Sequence, residues 1–303
     1  MRVAVVGAGF AGLAAAMDLS GAGHDVVVLE AHSRPGGLAA GFKDEAWDWP
    51  LEHYYHHLFT SDSAILDLVR EAGFADHVIT RRPTTASWYR GQARALDGVV
   101  PVLTFEGVPF HDRVRMGLVI AYLKLNRNWR PLEHVTAADW LRRWMGPRVY
   151  DTIWMPLLVG KFGPHHSEVP MSWLWARLHK RSMRLLYFRG GFQAFADRLT
   201  TLVARQGAEV RLSTPVERVV RVKKGLEVRS GGTAEAYDGV IVTTGPGLLA
   251  RMAPDLPESY LAGLGRLRHL GAAVVILALR RQVLDTVYWL NLDKREFPFL
   301  ALV

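Results

Sequence analysis

The clearest chemistry in this sequence lies in three glycines, set in Gly7-Ala8-Gly9-Phe10-Ala11-Gly12 directly after the apolar run RVAVVG at residues 2–7. The spacing G-x-G-x-x-G between a strand and a helix is that of a loop that cradles the diphosphate of a dinucleotide. Gly7 permits the tight turn, Gly9 lets the backbone approach the diphosphate, and Gly12 lets helix and strand pack closely. The helix that follows would present unpaired amides and about half a positive charge to the phosphates. Glu30 stands 18 residues after Gly12, at the end of the next apolar run, where a carboxylate accepts hydrogen bonds from a ribose diol. An anion at that point repels a 2′-phosphate. Replacing Glu30, at a strand end, by Ala is expected to weaken dinucleotide binding and leave the fold largely intact. The competing reading is a glycine-rich turn with an incidental surface glutamate, and the strand, helix and acid at the right distances weigh against it.

The elements that position these residues follow from periodicity. Residues 2–7 read as a buried parallel strand, 10–22 as an Ala- and Leu-rich helix ended near Gly21 and Gly23, and 25–30 as a second strand. Together they make a βαβ unit with a right-handed crossover. From about residue 60 the β–α alternation stops. Ser61–Phe74, His111–Leu125 and Thr136–Met145 read as helices, and Ser87–Leu96 as a hairpin turning at Gly91, in a region crowded with tryptophan. After Gly190-Gly191, a helix near 192–206 leads to a strand at Glu209–Leu212. A meander over 216–222 and 226–230 follows, with turns at Lys224-Gly225 and Gly231-Gly232, and then a strand at 239–244 that rejoins the first sheet. Residues 271–283 read as a further strand.

The stretch Glu30-Ala31-His32-Ser33-Arg34-Pro35-Gly36-Gly37-Leu38, taken with the glycine loop, resembles the flavoprotein amine oxidase superfamily, which includes protoporphyrinogen oxidases, phytoene desaturases and monoamine oxidases. Phe188–Val220 and Val240–Pro246 are similar to two further blocks of that superfamily, and the likeness covers about residues 1–280. The resemblance implies an α/β chain. Its Rossmann-like FAD-binding domain, a parallel sheet plus β-meander, would occupy 1–58 and 188–250, with an inserted, mostly helical substrate domain at 59–187 and the start of a substrate-domain sheet at 251–303. It implies FAD as cofactor, held by Gly7, Ala8, Gly9, Phe10, Ala11, Gly12, Glu30, Ala31, Arg34, Gly36, Gly37, Leu38, Val216 and Gly245. Arg34 and the Gly36-Gly37 turn would lie along the phosphates and ribityl chain, and the backbone of Val216 at the adenine end. The superfamily's last portion carries a second glycine segment that contacts FAD; with the apolar ending FPFLALV, its absence here implies a C-terminally truncated chain.

Hydride transfer to a flavin leaves the difficult chemistry with the cofactor, so no catalytic triad is expected. By the resemblance, His56 in the segment 49–57 would line the flavin; the alternative is that these are ordinary packed histidines. The His53/His57 spacing would also suit a metal on a helix, but no third ligand accompanies it, and no metal is expected. Lys161, in Gly160-Lys161-Phe162-Gly163, would act as a base if buried and would otherwise be a solvated lysine.

The tryptophans would either wall a flat apolar substrate or form core. The basic stretch Arg177, Lys180, Arg181, Arg184 and Arg189 would be a solvated face, a surface helix on anionic lipid, or a pocket for a charged nucleotide sugar. These options give three functional readings. The first is FAD-dependent oxidation or desaturation of a small, apolar substrate. The second is an isomerase similar to UDP-galactopyranose mutase, and the third a non-catalytic binder similar to the Rab GDP-dissociation inhibitors.

Composition bounds the rest. The 303 residues fit about two domains, and 50% apolar with 22% charged residues excludes wholesale disorder. The formal charge of +8 has no nucleic-acid module beside it, so no nucleic-acid partner is expected. Zero cysteines exclude a disulfide scaffold, thiolate metal sites and cysteine nucleophiles. Glycines at 7, 9 and 12 and the charge of Asp18 set the N-terminus apart from a secretory signal. The apolar run Met116–Leu125 is short of the about 20 residues a bilayer requires. The expectation is a cytoplasmic protein, with peripheral membrane contact as a further option.

Overall fold

Strand β1 (Arg2–Val6) is buried along its whole length except at Arg2, and β2 (Asp25–Leu29) except at Asp25. Runs of valine suit this position because both faces of the sheet are covered. The computed structural model describes residues 1–284 and 286–303. The described chain forms two units, the first made of Met1–Leu58, Ser63–Ile79 and Leu186–Val275, the second of Phe59–Asp62, Thr80–Leu185 and Ile276–Val303.

In the first unit, β1 is followed by α1 (Phe10–Gly21), β2, the short strands β3 (Gly41–Phe42) and β4 (Leu51–Glu52), and α2 (Ser63–Glu71). Then come β5 (Leu185–Phe188), α3 (Gly191–Arg205), β6 (Glu209–Arg211), a meander of β7 (Val216–Arg221), β8 (Leu226–Ser230) and β9 (Thr233–Tyr237), β10 (Gly239–Val242), α4 (Pro246–Met252) and α5 (Glu258–Gly265). The central sheet has the order β6-β2-β1-β10 and is parallel throughout, with Val3 opposite both Val26 and Gly239. Alternate side chains divide between its faces. Val5, Val26 and Val28 pack with Leu13, Phe192, Phe195 and Leu199 from α1 and α3, whereas Ala4, Val27 and Leu29 pack with Val219, Val228 and Tyr237 of the meander. Each fully buried Leu or Phe here contributes about 1.5–3 kcal/mol.

Segment Ser63–Ile79, which the sequence places with the inserted region, belongs to this unit because Val69, Ala72 and Phe74 join the cluster around Leu13 and Phe195. Residues 251–275 fall in it as well, with Ala253 in the meander cluster. An ionic cluster ties the meander to the sheet. Arg2 donates to Glu235 at 2.8 Å, Arg211 to Glu209 at 2.7 Å, and Arg211 also to Glu235.

The second unit holds a sheet of residues 301–302, 287–291, 84–89 and 92–95, in that order. Its hairpin turns at Arg90 (φ +50°) and Gly91 (φ +78°), a two-residue turn with both central residues left-handed. Helices span Phe110–Leu125, Ala137–Met145, Met155–Phe162 and Met171–Lys180. Thr136 caps one of them by accepting from the Asp139 amide at 3.1 Å. Trp154 is buried in this unit's core, and Trp140, Trp173 and Trp175 pack against it. These four tryptophans serve as packing, while Trp144 is 49% exposed.

Three expectations are corrected. Residues 271–283 form no strand: Val275 is 81% and Leu277 70% exposed, and among the described residues no strand pairs with the run. The basic stretch from Arg177 is not one helix. The helix ends at Lys180, and Leu185–Phe188 is a strand with Leu186 and Phe188 inside, so its apolar residues alternate with a period of two rather than forming a helical face. His53 and His57 lie in irregular backbone after β4, so their spacing does not put them on one helical face. Among the described residues, no helix is long and apolar enough to cross a membrane.

Candidate functional site

The carboxyl ends of β1 and β2 open onto the glycine loop. Gly7 adopts φ +105°, its amide donates to Leu29 O at 2.8 Å, and a Cβ there would stand 2.7 Å from Thr243 Oγ1. A Cβ on Gly12 would stand 1.9 Å from Gly7 O, so only glycine lets α1 start this close to β1. Gly9 is the N-cap of α1 and provides no capping side chain. The first turn begins with Leu13 N donating to Gly9 O at 2.9 Å, which leaves the amides before it without an intrahelical acceptor.

The second wall is the turn after β2. The Gly36 amide donates to Ala8 O at 2.8 Å, and Gly36 and Gly37 adopt φ +120° and +57°, conformations that favour glycine. A Cβ on Gly37 would lie 3.2 Å from Gly9 Cα. Two backbones without side chains therefore face each other across the mouth of the loop.

Glu30 is buried at 6% exposure, and each carboxylate oxygen accepts one backbone amide, Oε2 from Ala8 at 2.7 Å and Oε1 from His32 at 2.9 Å. The carboxylate is thereby held at the strand end with lone pairs remaining for further donors. Its removal would orphan these two amides, a cost in stability beside the lost ribose acceptor. The strand after it is braced by Thr214 N donating to Glu30 O at 2.7 Å, and half-buried Val216 follows at the start of β7.

The other expected contacts are spread more widely. Phe10 contributes its backbone to the loop, while its ring packs on Phe192 and Phe195 at 6.1 and 5.3 Å between centroids. Ala11 and Ala31 are exposed, and Leu38 is 76% exposed. Arg34, expected along the phosphates, donates through Nη1 to Gly41 O at 2.8 Å and steadies its own turn. Gly245 is the N-cap of α4. His56 is half-buried, with Nδ1 2.5 Å from Tyr54 O and its ring beside Phe192. Lys161 belongs to the second unit and is exposed. Its ammonium lies 5.7 Å from the Trp173 ring centroid, and Arg177 stacks on the same ring. Desolvation of the ammonium, and then the charge of Arg177, lower its pKa. Among the described residues, no three His, Asp or Glu side chains gather to hold a metal ion.

Two buried polar residues beside the cradle escaped the sequence reading. Glu52 accepts from the Tyr187 hydroxyl (3.0 and 2.8 Å to its two oxygens) and from the Phe192 amide at 2.7 Å. Gln193 accepts from the Gly41 amide at 3.0 Å and donates to Pro35 O at 3.1 Å. The sign of Gln193 in the sequence is a polar residue on the helical face otherwise formed by Phe192, Phe195 and Ala196. Glu52 sits among aromatic residues and histidines and gives no such sign.

A dinucleotide fits these residues on three counts: uncapped first-turn amides at Gly9, the bare approach of Gly9 and Gly37, and a fixed acid at the end of β2.

Comparison with known proteins agrees. The model of the family described as flavin containing amine oxidoreductase matches residues 10–301. AofH of Mycobacterium tuberculosis, which bears the name of a flavin-containing monoamine oxidase, is 30% identical over 280 residues, covering 85% of this chain and 60% of its own length. A 15-cis-phytoene desaturase of Synechococcus elongatus is 25% identical over 245 residues, covering 73% of this chain and 51% of its own. The chain thus spans 51–60% of the length of these two relatives. Among solved structures, reduced UDP-galactopyranose mutase superposes with a TM-score of 0.72 at 16% identity, over 99% of this chain and 69% of that one. A putrescine oxidase variant gives 0.67 at 21% identity, over 88% and 63%. At such identities these two show the fold. With residues 10–301 of this chain matched by the family model, the chain belongs to the flavin-containing amine oxidoreductases.

Proposed function

We propose that this chain holds FAD between the N-terminus of α1 and the Gly36-Gly37 turn, as part of an oxidoreductase that oxidises or desaturates a small, apolar substrate. FAD is the cofactor of the family, and when bound it supplies the hydride acceptor. The chain's own residues bind and orient it. Gly9, Phe10, Ala11 and Gly12 present backbone amides to the diphosphate, and Glu30 accepts from the adenosine ribose. Val216 flanks the adenine end through its backbone. The observation that carries the reading is the close approach of Gly9 to Gly37 beside a buried carboxylate already fixed by Ala8 and His32.

Support for oxidation comes from the family and from the oxidase and desaturase names of the relatives. Among the described residues, nothing in the cradle separates oxidation from isomerisation, because both use the same cofactor site. The test is purification of the chain, followed by anaerobic mixing with substrates. Yellow protein that an amine or a carotenoid precursor bleaches supports the proposal. Colourless protein that cannot be reconstituted with FAD defeats it, and turnover of a nucleotide sugar only after prior reduction moves the assignment to the mutase type.

A further inference from the structure

Helix α3 touches both walls of the cradle. Its Phe192 and Phe195 pack on Phe10 in the first turn of α1, and its Gln193 reaches the opposite turn. Gln193 is 5% exposed and bonds to both ends of the turn that carries Gly36 and Gly37, with Nε2 donating to Pro35 O and Oε1 accepting from Gly41 N. Asp197, one turn further along α3, accepts from the same Nε2 at 2.8 Å. A carboxylate only accepts, so this contact fixes which end of the amide faces which partner.

The start of α3 is itself anchored. Glu52 is 4% exposed and takes the Phe192 amide and the Tyr187 hydroxyl, and a Cβ on Gly191 would stand 2.7 Å from Pro50 O. Gly36 and Gly37 have no side chains with which to hold their own conformation, at φ values where the chain has much freedom to lose.

We propose that Gln193 is a positioning residue for the flavin dinucleotide, a latch through which α3 fixes the distance between Gly37 and Gly9. Glu52 is the anchor of that latch. This rests on the FAD reading above and adds to it how the width of the cleft is set.

The test uses the 303-residue chain, free of cofactor, as wild type, Gln193→Ala and Gln193→Glu. The first readout is hydrogen–deuterium exchange at residues 36–42, which needs no cofactor. The Gly41 amide loses its acceptor in Gln193→Ala, so its exchange should accelerate at least about tenfold while the amides of β1 keep their protection. The second readout is the affinity for FAD, followed by quenching of flavin fluorescence. Gln193→Ala should weaken it at least tenfold, about 1.4 kcal/mol.

Gln193→Glu has nearly the same shape but turns the Nε2 donor into an oxygen facing Pro35 O and Asp197. Its FAD affinity should therefore be low at about pH 8 and recover toward about pH 5, as the introduced carboxyl gains a proton to donate, while the wild type stays flat. Should Gln193→Ala fail to fold, this pH profile still decides. Unchanged exchange at Gly41, or a Gln193→Glu profile as flat and as tight as wild type, overturns the latch. Wild-type chain that binds no FAD overturns the cofactor reading, and with it the purpose of the latch.

Discussion

Gly9→Ala separates the cradle from the fold. Gly9 has φ −74°, which any residue adopts, and an added Cβ would meet only Gly37 Cα at 3.9 Å, an ordinary van der Waals distance. The cofactor-free protein should therefore keep its stability within about 1 kcal/mol, since the unfolded chain also loses freedom on gaining the methyl. The cofactor should notice it. The methyl stands where the diphosphate must come within hydrogen-bonding distance of the loop amides. Displacing it weakens charge-assisted bonds that contribute about 1.5–3 kcal/mol each. Loss of about 3 kcal/mol lowers FAD affinity about 100-fold. Thermal melting of the cofactor-free protein and fluorescence titration with FAD measure the two effects on one preparation. A variant that binds FAD within about threefold of wild type would refute the placement of the diphosphate at Gly9. A large fall in the melting temperature of the cofactor-free protein would refute the claim that a Cβ at Gly9 meets only an ordinary van der Waals contact.

Other positions should behave differently. Gly12→Ala drives a Cβ to 1.9 Å from Gly7 O and should destabilise the cofactor-free protein by about 1–3 kcal/mol or more, seen in urea unfolding. Glu30→Ala leaves the Ala8 and His32 amides without their acceptor, so it should lower both cofactor-free stability, by about 1–3 kcal/mol, and FAD affinity; a loss of affinity alone would mean that those amides find water. Hydrogen bonds from Arg211 hold the carboxyls of Glu209 and Glu235 below the usual carboxylate range. Their folded values lie below the unfolded ones, so the stability they add is present above about pH 4.5 and is lost as pH falls through the folded values. Arg211→Met should flatten that part of a melting temperature–pH profile, and an unchanged slope would show the cluster to be inert.

What the sequence discloses here is local geometry. Glycine spacing, β-branched runs and turn pairs depend on residues a few positions apart, so β1-α1-β2, the hairpin at Arg90-Gly91 and the meander turn at Gly231-Gly232 all stand where their residues point. The strand expected at 271–283 shows the limit. β-branched apolar residues record a preference for extended backbone, but a strand exists only where a neighbour accepts its hydrogen bonds. The stretch from Arg177 misleads in another way, because basic residues spread across a helix end and a strand look continuous in one dimension. Glu30 and the three loop glycines were legible because the motif packs them into one βαβ unit. Gln193 and Glu52 were not: their partners lie up to 158 and 140 residues away and meet them only once the sheet and α3 are assembled.

The measurement closest to the central claim is a crystal structure of the protein grown with FAD. The diphosphate should lie against the amides between Gly9 and Gly12 and opposite Gly37, with the adenosine ribose hydroxyls on Glu30. Density showing that cleft filled by side chains, or holding a nicotinamide coenzyme in place of FAD, would contradict the account.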